Sequence, residues 1–168
     1  VIGMISSASQ EVHRRIFDST RSFGDVASPD DCFLALRGLR TMSVRLRQQS
    51  EAALRVARWL EARSEVKRGL FPPLESDPGH ALWARDFAGS TSLFGLVLES
   101  TDLDVTSRFV ESLKLFSIGS SWGGYESLVA VNVMPLPREV VPFNEAPYLL
   151  RLHIGLEDAD DLIADLEG

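Results

Sequence analysis

Cysteine is nearly absent from this sequence, and its scarcity excludes two kinds of stabilisation. Cys32 is the only cysteine among 168 residues, so no disulfide can form within the chain. The three histidines, His13, His80 and His153, do not stand at zinc-ligand spacings from it, and we expect no metal site. Cys32 lies in the amphipathic helical pattern "DDCFLAL", which predicts a small buried side chain and not a nucleophile.

Positive charge is also scarce. The chain has 17 Lys and Arg against 24 Asp and Glu, a net charge of −7, which argues against a nucleic-acid surface or a polybasic membrane patch. No apolar run approaches the ~18 residues needed to cross a bilayer. The N-terminal "VIGMISSASQ" has no basic leader. We therefore expect a cytoplasmic protein, and its apolar content of 45% is sufficient for a hydrophobic core.

The beginning of the sequence is mostly helical in pattern. Residues 1–6 are apolar enough to predict the end of a buried strand. Ser9 is the predicted N-cap of a helix that stops at Gly24. Ser28 caps a second helix, which we expect Gly38 to interrupt.

A long helix is predicted for residues 41–63. One side of this helix is apolar and the other carries arginines, which are expected to be solvated or to face a partner. The apolar side consists of Met42, Leu46, Ala53, Leu54, Ala57 and Leu60. The arginines are Arg45, Arg47, Arg55 and Arg58.

After this helix the pattern changes to short strands alternating with helices. The predicted strands are "EVKRGLFP", "SLFGLVLES", "FSIGS", "LVAVNVM" and "YLLRLHIGL". The predicted helices are "DPGHALWARDF", "DVTSRFVESLKL" and "EDADDLIADLEG". Short connections between neighbouring strands favour antiparallel pairing. The fold class is therefore α/β, with a mostly antiparallel sheet and helices packed on it, preceded by a long helix.

The segment "SSWGGYESL", residues 120–128, combines hydroxyls, glycines and aromatic rings directly before a predicted core strand. Backbone amides next to Gly123 and Gly124, together with the hydroxyls of Ser120 and Ser121, can bind a carboxylate or a phosphate. A tight structural turn would use glycines in the same way. The segment lacks the G-x-S-x-G frame of a nucleophile elbow.

Arg151 and His153 share one face of the last predicted strand, because side chains alternate along a strand. The planar guanidinium of an arginine matches a carboxylate bidentately, which a lysine cannot do. Arg151 must therefore reach solvent, bind an anionic ligand or pair with an acidic side chain of the protein. For His153 a hydrogen-bonded structural role is favoured over that of a catalytic base.

Four segments together resemble one enzyme family. They are "LALRGLRTMSVRLRQQSEAALRVARWL", "GHALWARDFAGSTSLFGLVLE", "LFSIGSSWGGYESL" and "LLRLHIGLEDADDLIADL". They occur in the order found in the cystathionine/methionine-metabolism family of pyridoxal 5'-phosphate (PLP) enzymes, and the resemblance covers essentially the whole chain. It implies the C-terminal portion of a fold-type I PLP-dependent transferase or lyase.

The resemblance implies roles for several residues. In the family, the S-x-G-G-x-E-S-L loop and the later arginine strand line the substrate side of the cofactor. Arg151 would bind the α-carboxylate of the substrate. Ser121 would help to position both this carboxylate and the catalytic lysine, and Trp122 would pack beside them. Glu126 would brace the loop. The residues that stack on the PLP ring, pair with its pyridine nitrogen and hold its phosphate are expected upstream of Val1, and cofactor-binding residues within this chain stay open.

Residue 120 bears on the subtype. The γ-synthases and γ-lyases of the family usually carry E-S-L-G-G here, and the β-lyases carry Y-S-W-G-G. Trp122 therefore favours the β-lyases, which cleave cystathionine to homocysteine, pyruvate and ammonia. Ser120 departs from their tyrosine, and the preferred thioether substrate stays open. A γ-synthase, a γ-lyase, a general cysteine-S-conjugate lyase and a non-catalytic assembly domain are the alternatives.

The family's Schiff-base lysine belongs to a K-Y-x-x-G-H-S-D segment that this sequence does not contain. Neither Lys67 nor Lys114 stands in that context, so we expect that lysine upstream of Val1 and the chain alone to be inactive. Residues 1–38 would be the end of the large PLP-binding domain and residues 39–168 the small domain. The resemblance also implies a homotetramer built from dimers.

Overall fold

The computed structural model describes residues 2–133 and 146–168. The chain divides into two compact units, Val1–Val44 and Arg45–Gly168. The assignment of residues 1–38 to a large domain and 39–168 to a small domain stays a prediction.

In the first unit, helix α1 spans Gln10–Phe23 and has both of its predicted ends. The Ser9 side chain accepts a hydrogen bond from the Val12 N–H at 3.4 Å, so Ser9 is the N-cap. Gly24 ends the helix with φ of 73°, a left-handed conformation that glycine adopts without steric cost.

Two predictions for the first unit are wrong. Residues 2–6 do not form a strand and are exposed, because no strand of the described residues pairs with them. Cys32 is also exposed, since its helical face packs against no other element within this unit.

Helix α2 spans Pro29–Glu61 without a break, so the predicted interruption at Gly38 is wrong. A glycine inside a helix lowers the stability of the helix by only about 1 kcal/mol relative to alanine. The helical turns on either side of Gly38 continue despite this cost. The predicted apolar side is buried only toward the C-terminal end, at Ala53, Ala57 and Leu60. Met42 and Leu46 are exposed instead, because only the C-terminal turns of α2 belong to the core cluster.

The second unit is a five-stranded sheet with helices packed on it. The strands are β1 (Val66–Leu70), β2 (Leu93–Leu98), β3 (Ser117–Ile118), β4 (Leu128–Val133) and β5 (Tyr148–His153). The helices are α3 (His80–Asp86), α4 (Leu103–Ser112) and α5 (Ala159–Glu167). The strand order is β1-β2-β5-β4-β3. All neighbouring pairs are antiparallel except β3 and β4, which are parallel, so the predicted mostly antiparallel sheet is confirmed.

The core lies on one face of strand β5. Leu150, Leu152 and Ile154 point to that face and are buried with Val56 of α2 and Leu162 of α5. Arg151 and His153 alternate with them and therefore lie on the opposite face. The apolar face thus fixes the register of β5, and the register in turn fixes where the arginine lies.

No helix among residues 2–133 and 146–168 is long and apolar enough to cross a membrane. Within the same ranges, no three His, Cys, Asp or Glu side chains are grouped closely enough to hold a metal ion.

Candidate functional site

Residues 119–127, here called the 119–127 loop, connect β3 to β4. Gly123 has φ of 81°, so any other residue at this position would be strained. The side chains of Trp122 and Tyr125 are 63% and 74% exposed, large values for aromatic residues. The loop therefore presents its aromatic rings outward while its backbone turns toward β5.

Arg151 lies on the central strand of the sheet. Its partners across the two neighbouring strands are Gly95 on β2 and Ala130 on β4. Side chains directly opposite each other in antiparallel strands lie on the same face. Gly95 has no side chain of its own, and the side chains of Leu70 and Leu149 pack where its Cβ atom would lie.

The guanidinium of Arg151 binds the loop backbone but uses only part of its capacity. Nη2 donates to the carbonyl oxygens of Gly119 and Ser121, both at 3.2 Å. Nε is buried and has no hydrogen-bond partner in the described part of the chain. No carboxylate within residues 2–133 and 146–168 forms an ion pair with Arg151. The alternative that Arg151 binds an acidic side chain therefore finds no support among these residues.

His153 is buried and fully hydrogen-bonded, as the sequence predicted. Its Nε2 lies 3.3 Å from the carbonyl oxygen of Gly124, which can only accept, so Nε2 carries the proton. The single lone pair of Nδ1 is then shared by the hydroxyl of Ser92 at 3.0 Å and the Gly123 N–H at 3.4 Å. Both ring nitrogens are paired, and the histidine is part of the scaffold that holds the loop.

Gln49 of α2 also binds the loop and was not predicted from the sequence. It is only 5% exposed, and its Nε2 donates to the carbonyl oxygen of Gly124 at 2.7 Å. A signal for it exists in the sequence. Gln49 stands four residues before Ala53 and seven before Val56, on the apolar stripe of the helix, where a polar residue needs a buried partner.

The C-terminal end of the loop is held by Glu157. Its Oε1 accepts from the Ser127 N–H at 2.9 Å, and its Oε2 accepts from the Ser127 hydroxyl at 2.8 Å. Glu126, the residue expected to brace the loop, is exposed and makes no hydrogen bond or ion pair with the described residues. No hydrogen bond of the described residues supports the predicted bracing role of Glu126, whose carboxylate lies beside Gly124. Glu157 follows the end of β5 and reaches back to Ser127 instead.

Close approach of the loop to β5 also requires Gly155. A Cβ atom at this position would collide with the carbonyl oxygen of Tyr125 and with the Glu157 carboxylate, and would lie 2.6 Å from the carbonyl carbon of Glu126. The Leu156 N–H donates to the same Tyr125 oxygen at 2.8 Å. Glycine is therefore the residue that lets the two backbones touch.

The predicted site residues are only partly brought together. Arg151 contacts the backbone of Ser121, and Trp122 and Ser120 lie beside it in the loop with exposed side chains. The two lysines lie elsewhere: Lys67 is exposed on β1 and Lys114 is exposed after α4. The Arg151 guanidinium can donate hydrogen bonds to an anion, but neither lysine amine lies near it for covalent chemistry.

A comparison with known proteins identifies the family. Residues 1–168 match the model of the Cys/Met metabolism PLP-dependent enzymes. The chain belongs to this family. The resemblance found in the sequence is thus confirmed, and the cofactor of the family is PLP.

Individual relatives differ in their reactions. The chain is 43% identical to the cystathionine beta-lyase MetC of Escherichia coli (strain K12) over 149 residues, which cover 86% of this chain and 38% of that protein. It is 36% identical to the cystathionine gamma-lyase of Bos taurus, covering 99% of this chain and 42% of that protein. A crystal structure of cystathionine gamma synthase from Xanthomonas oryzae pv. oryzae in complex with cystathionine superposes with a TM-score of 0.81 at 36% identity, covering 96% of this chain and 43% of that one.

The chain therefore spans about two fifths of the length of these relatives. Its α/β fold is that of the C-terminal portion of a fold-type I PLP enzyme, as predicted.

The residues of this site fit one part of the family's chemistry. The unpaired Nε of Arg151 suits an anionic group held beside the cofactor. No lysine lies in the loop or on β5, so these residues do not fit covalent attachment of the cofactor.

Proposed function

We propose that this chain forms the substrate-carboxylate side of a PLP-dependent carbon–sulfur β-lyase, which cleaves cystathionine to homocysteine, pyruvate and ammonia. The observation that carries the proposal is the buried Nε of Arg151, which has no hydrogen-bond partner among residues 2–133 and 146–168, next to a loop with exposed aromatic rings. The identity of 43% to a cystathionine beta-lyase supports the choice of reaction. The catalytic lysine would come from a polypeptide segment outside this sequence, and "the complete enzyme" below means this chain together with that segment.

Arg151 would hold the substrate through its α-carboxylate. A carboxylate oxygen that accepts from Nε supplies the missing partner of a buried donor, and the second oxygen takes a further guanidinium hydrogen. Binding would thus relieve an unsatisfied group and form a charge-assisted pair in one step. The chain's own carbonyls, from Gly119 and Ser121, keep the guanidinium plane in place before substrate arrives.

The residues of the loop would orient the rest of the substrate. Because Arg151 binds the Ser121 carbonyl oxygen, the position of Ser121 is fixed by the residue that holds the carboxylate. Trp122 would pack against the substrate and exclude water from it, and Ser120 would border the distal end of the thioether. PLP, when bound, supplies the electron sink that makes the α-proton of the amino acid acidic.

An experiment on Arg151 tests the proposal. In the complete enzyme, Arg151→Ala should lower kcat/KM for cystathionine roughly 100-fold, mainly through KM, because a charged donor pair to the carboxylate is lost. The control is Arg58→Ala, since Arg58 is an exposed arginine of α2 without a partner among the described residues. Unchanged kinetics in Arg151→Ala would remove Arg151 from the substrate site.

A γ-elimination or γ-replacement reaction is the second candidate. The 36% identity to a cystathionine gamma-lyase and the similarity to a cystathionine gamma synthase favour it. Product analysis separates the two, because β-elimination of cystathionine gives pyruvate and γ-elimination gives 2-oxobutyrate. A non-catalytic assembly domain would give neither product and would stay colourless after PLP is added and dialysed away.

We also propose, from the family resemblance, that the complete enzyme is a cytoplasmic homotetramer built from dimers. Sedimentation equilibrium of the complete enzyme measures the assembly directly, and a monomer at micromolar concentration would contradict it.

A further inference from the structure

Gln49 is a buried amide on a helix face that is otherwise apolar. It is 5% exposed, and Ala52, Ala53 and Val56, which follow it on α2, are equally buried. A buried amide group that lacks partners costs about 1–3 kcal/mol, so a glutamine at such a position indicates a specific bond. Its partner, Gly124, lies 75 residues away in the 119–127 loop.

The carbonyl oxygen of Gly124 receives two donors from two different elements. Gln49 Nε2 of α2 binds it at 2.7 Å, and His153 Nε2 of β5 lies 3.3 Å away. A carbonyl oxygen has two lone pairs, and both are used here. The neighbouring Gly123 N–H donates to the other nitrogen of the same histidine at 3.4 Å.

This pair of glycines would otherwise be the most mobile part of the loop. Gly123 and Gly124 have no side chains to pack, and fixing a residue's backbone costs about 1–2 kcal/mol of conformational entropy. Nothing in the loop's own sequence supplies that energy at these two positions, since Trp122 and Tyr125 on either side are exposed. The bonds from α2 and β5 hold the turn from outside.

We infer that Gln49 is a positioning residue, which orders the Gly123–Gly124 turn and thereby sets Ser121 and Trp122 relative to the guanidinium of Arg151. The inference rests on the proposed function, because it names what prepares that substrate site. Without the Gln49 bond, His153 alone holds the turn, and the loop must be ordered at the expense of substrate binding. The effect therefore falls on KM more than on kcat.

The chain offers a closely matched control. Gln48 precedes Gln49 on α2, is exposed and has no partner among the described residues. We compare Gln49→Met, which keeps the length of the side chain and removes the N–H donor, with Gln48→Met in the complete enzyme. Gln49→Glu is the second variant; it keeps the shape and places an acceptor against the Gly124 carbonyl oxygen.

Two measurements test the inference. Without substrate, hydrogen exchange is measured at the backbone amides of Gly123 and Leu156, which donate to His153 Nδ1 and to the Tyr125 carbonyl oxygen. It should be roughly tenfold faster in Gln49→Met and faster still in Gln49→Glu, since loss of one buried hydrogen bond lowers the local opening energy. KM for cystathionine should rise roughly tenfold in Gln49→Met, with kcat within about twofold of wild type. Gln48→Met should match the wild type in both.

The outcomes are separable. The inference is overturned if the exchange rates and KM of Gln49→Met stay at wild-type values. If the methionine variant does not fold, Gln49→Glu is judged by the same criterion. A second outcome would also overturn the inference: a fall of kcat accompanied by loss of exchange protection in the loop and across the whole sheet. That result indicates a general structural role for Gln49. If the wild type produces no pyruvate from cystathionine, the proposed function fails, and the exchange measurement alone still decides whether Gln49 orders the turn.

Discussion

The hydroxyl and the backbone N–H of Ser127 both donate to the carboxylate of Glu157, at 2.8 and 2.9 Å. The same hydroxyl oxygen accepts from the Gly155 N–H at 2.9 Å, so its hydrogen-bonding capacity is used within the protein. Ser127 is completely buried. The end of the 119–127 loop therefore depends on a carboxylate with two acceptor oxygens.

Glu157→Gln should lower the free energy of unfolding by about 1–2 kcal/mol, because the amide offers one acceptor where two are needed. Glu126→Gln is the control for stability, since the exposed Glu126 carboxylate has no partner among the described residues. Urea denaturation measures both. Equal denaturation midpoints for the two variants would contradict the assignment of Glu157 as the brace.

Gly155→Ala should destabilise the protein by about 2 kcal/mol or more, because the new methyl group collides with loop backbone that cannot move away. Gly89→Ala, by contrast, adds a methyl group at an exposed position with no atom within 4 Å and should leave the denaturation midpoint unchanged or slightly raised. A Gly155→Ala variant as stable as Gly89→Ala would show that the loop does not lie against β5 as described.

The buried hydroxyl of Tyr148 provides a third test. The carbonyl oxygens of Ser100 and Asp102 lie 2.5 and 3.1 Å away and share its single hydrogen. Its oxygen accepts from Thr106 Oγ1 at 2.9 Å, which ties the start of β5 to α4. Tyr148→Phe should cost about 1–2 kcal/mol, since these groups lose their partner in a buried site. The exposed Tyr125, which has no side-chain hydrogen bond among the described residues, is the control: Tyr125→Phe should leave the unfolding curve where it is.

Arg151→Lys separates charge from geometry at the proposed site. The lysine keeps the positive charge but cannot bind two carbonyl oxygens and a carboxylate from one planar group. In the complete enzyme kcat/KM for cystathionine should fall roughly tenfold, between wild type and Arg151→Ala. A lysine variant with wild-type kinetics would mean that the guanidinium plane plays no part and that charge alone binds the substrate.

The sequence predicted those features that depend on local pattern. Ser9 and Gly24 bound α1 as expected, because capping is decided within one turn of helix. The alternation of "YLLRLHIGL" placed Arg151 and His153 on one face, because β5 is buried on the other. The family resemblance came from the motifs themselves and did not require knowledge of the sheet.

Features that depend on distant residues were not predicted. Gln49 was overlooked because a single polar residue in a helix is usually solvated, and its partner lies in another element. Glu157 took the place of Glu126 because the end of β5 and the loop meet only in the folded sheet. Met42 was assigned to the apolar side of α2 by periodicity, which indicates which side of a helix is apolar but not how far along the helix that side is covered.

The position of β5 has a consequence for synthesis of the chain. This strand is made after all the others, yet it joins β2 on one side and β4 on the other. Until residues 148–153 leave the ribosome, the β1–β2 pair and the β3–β4 pair have no common neighbour, and each exposes an unpaired edge. The strand that completes the described sheet is also the strand that carries Arg151, so the carbonyl oxygens of Gly119 and Ser121 gain their guanidinium partner only when the sheet is complete.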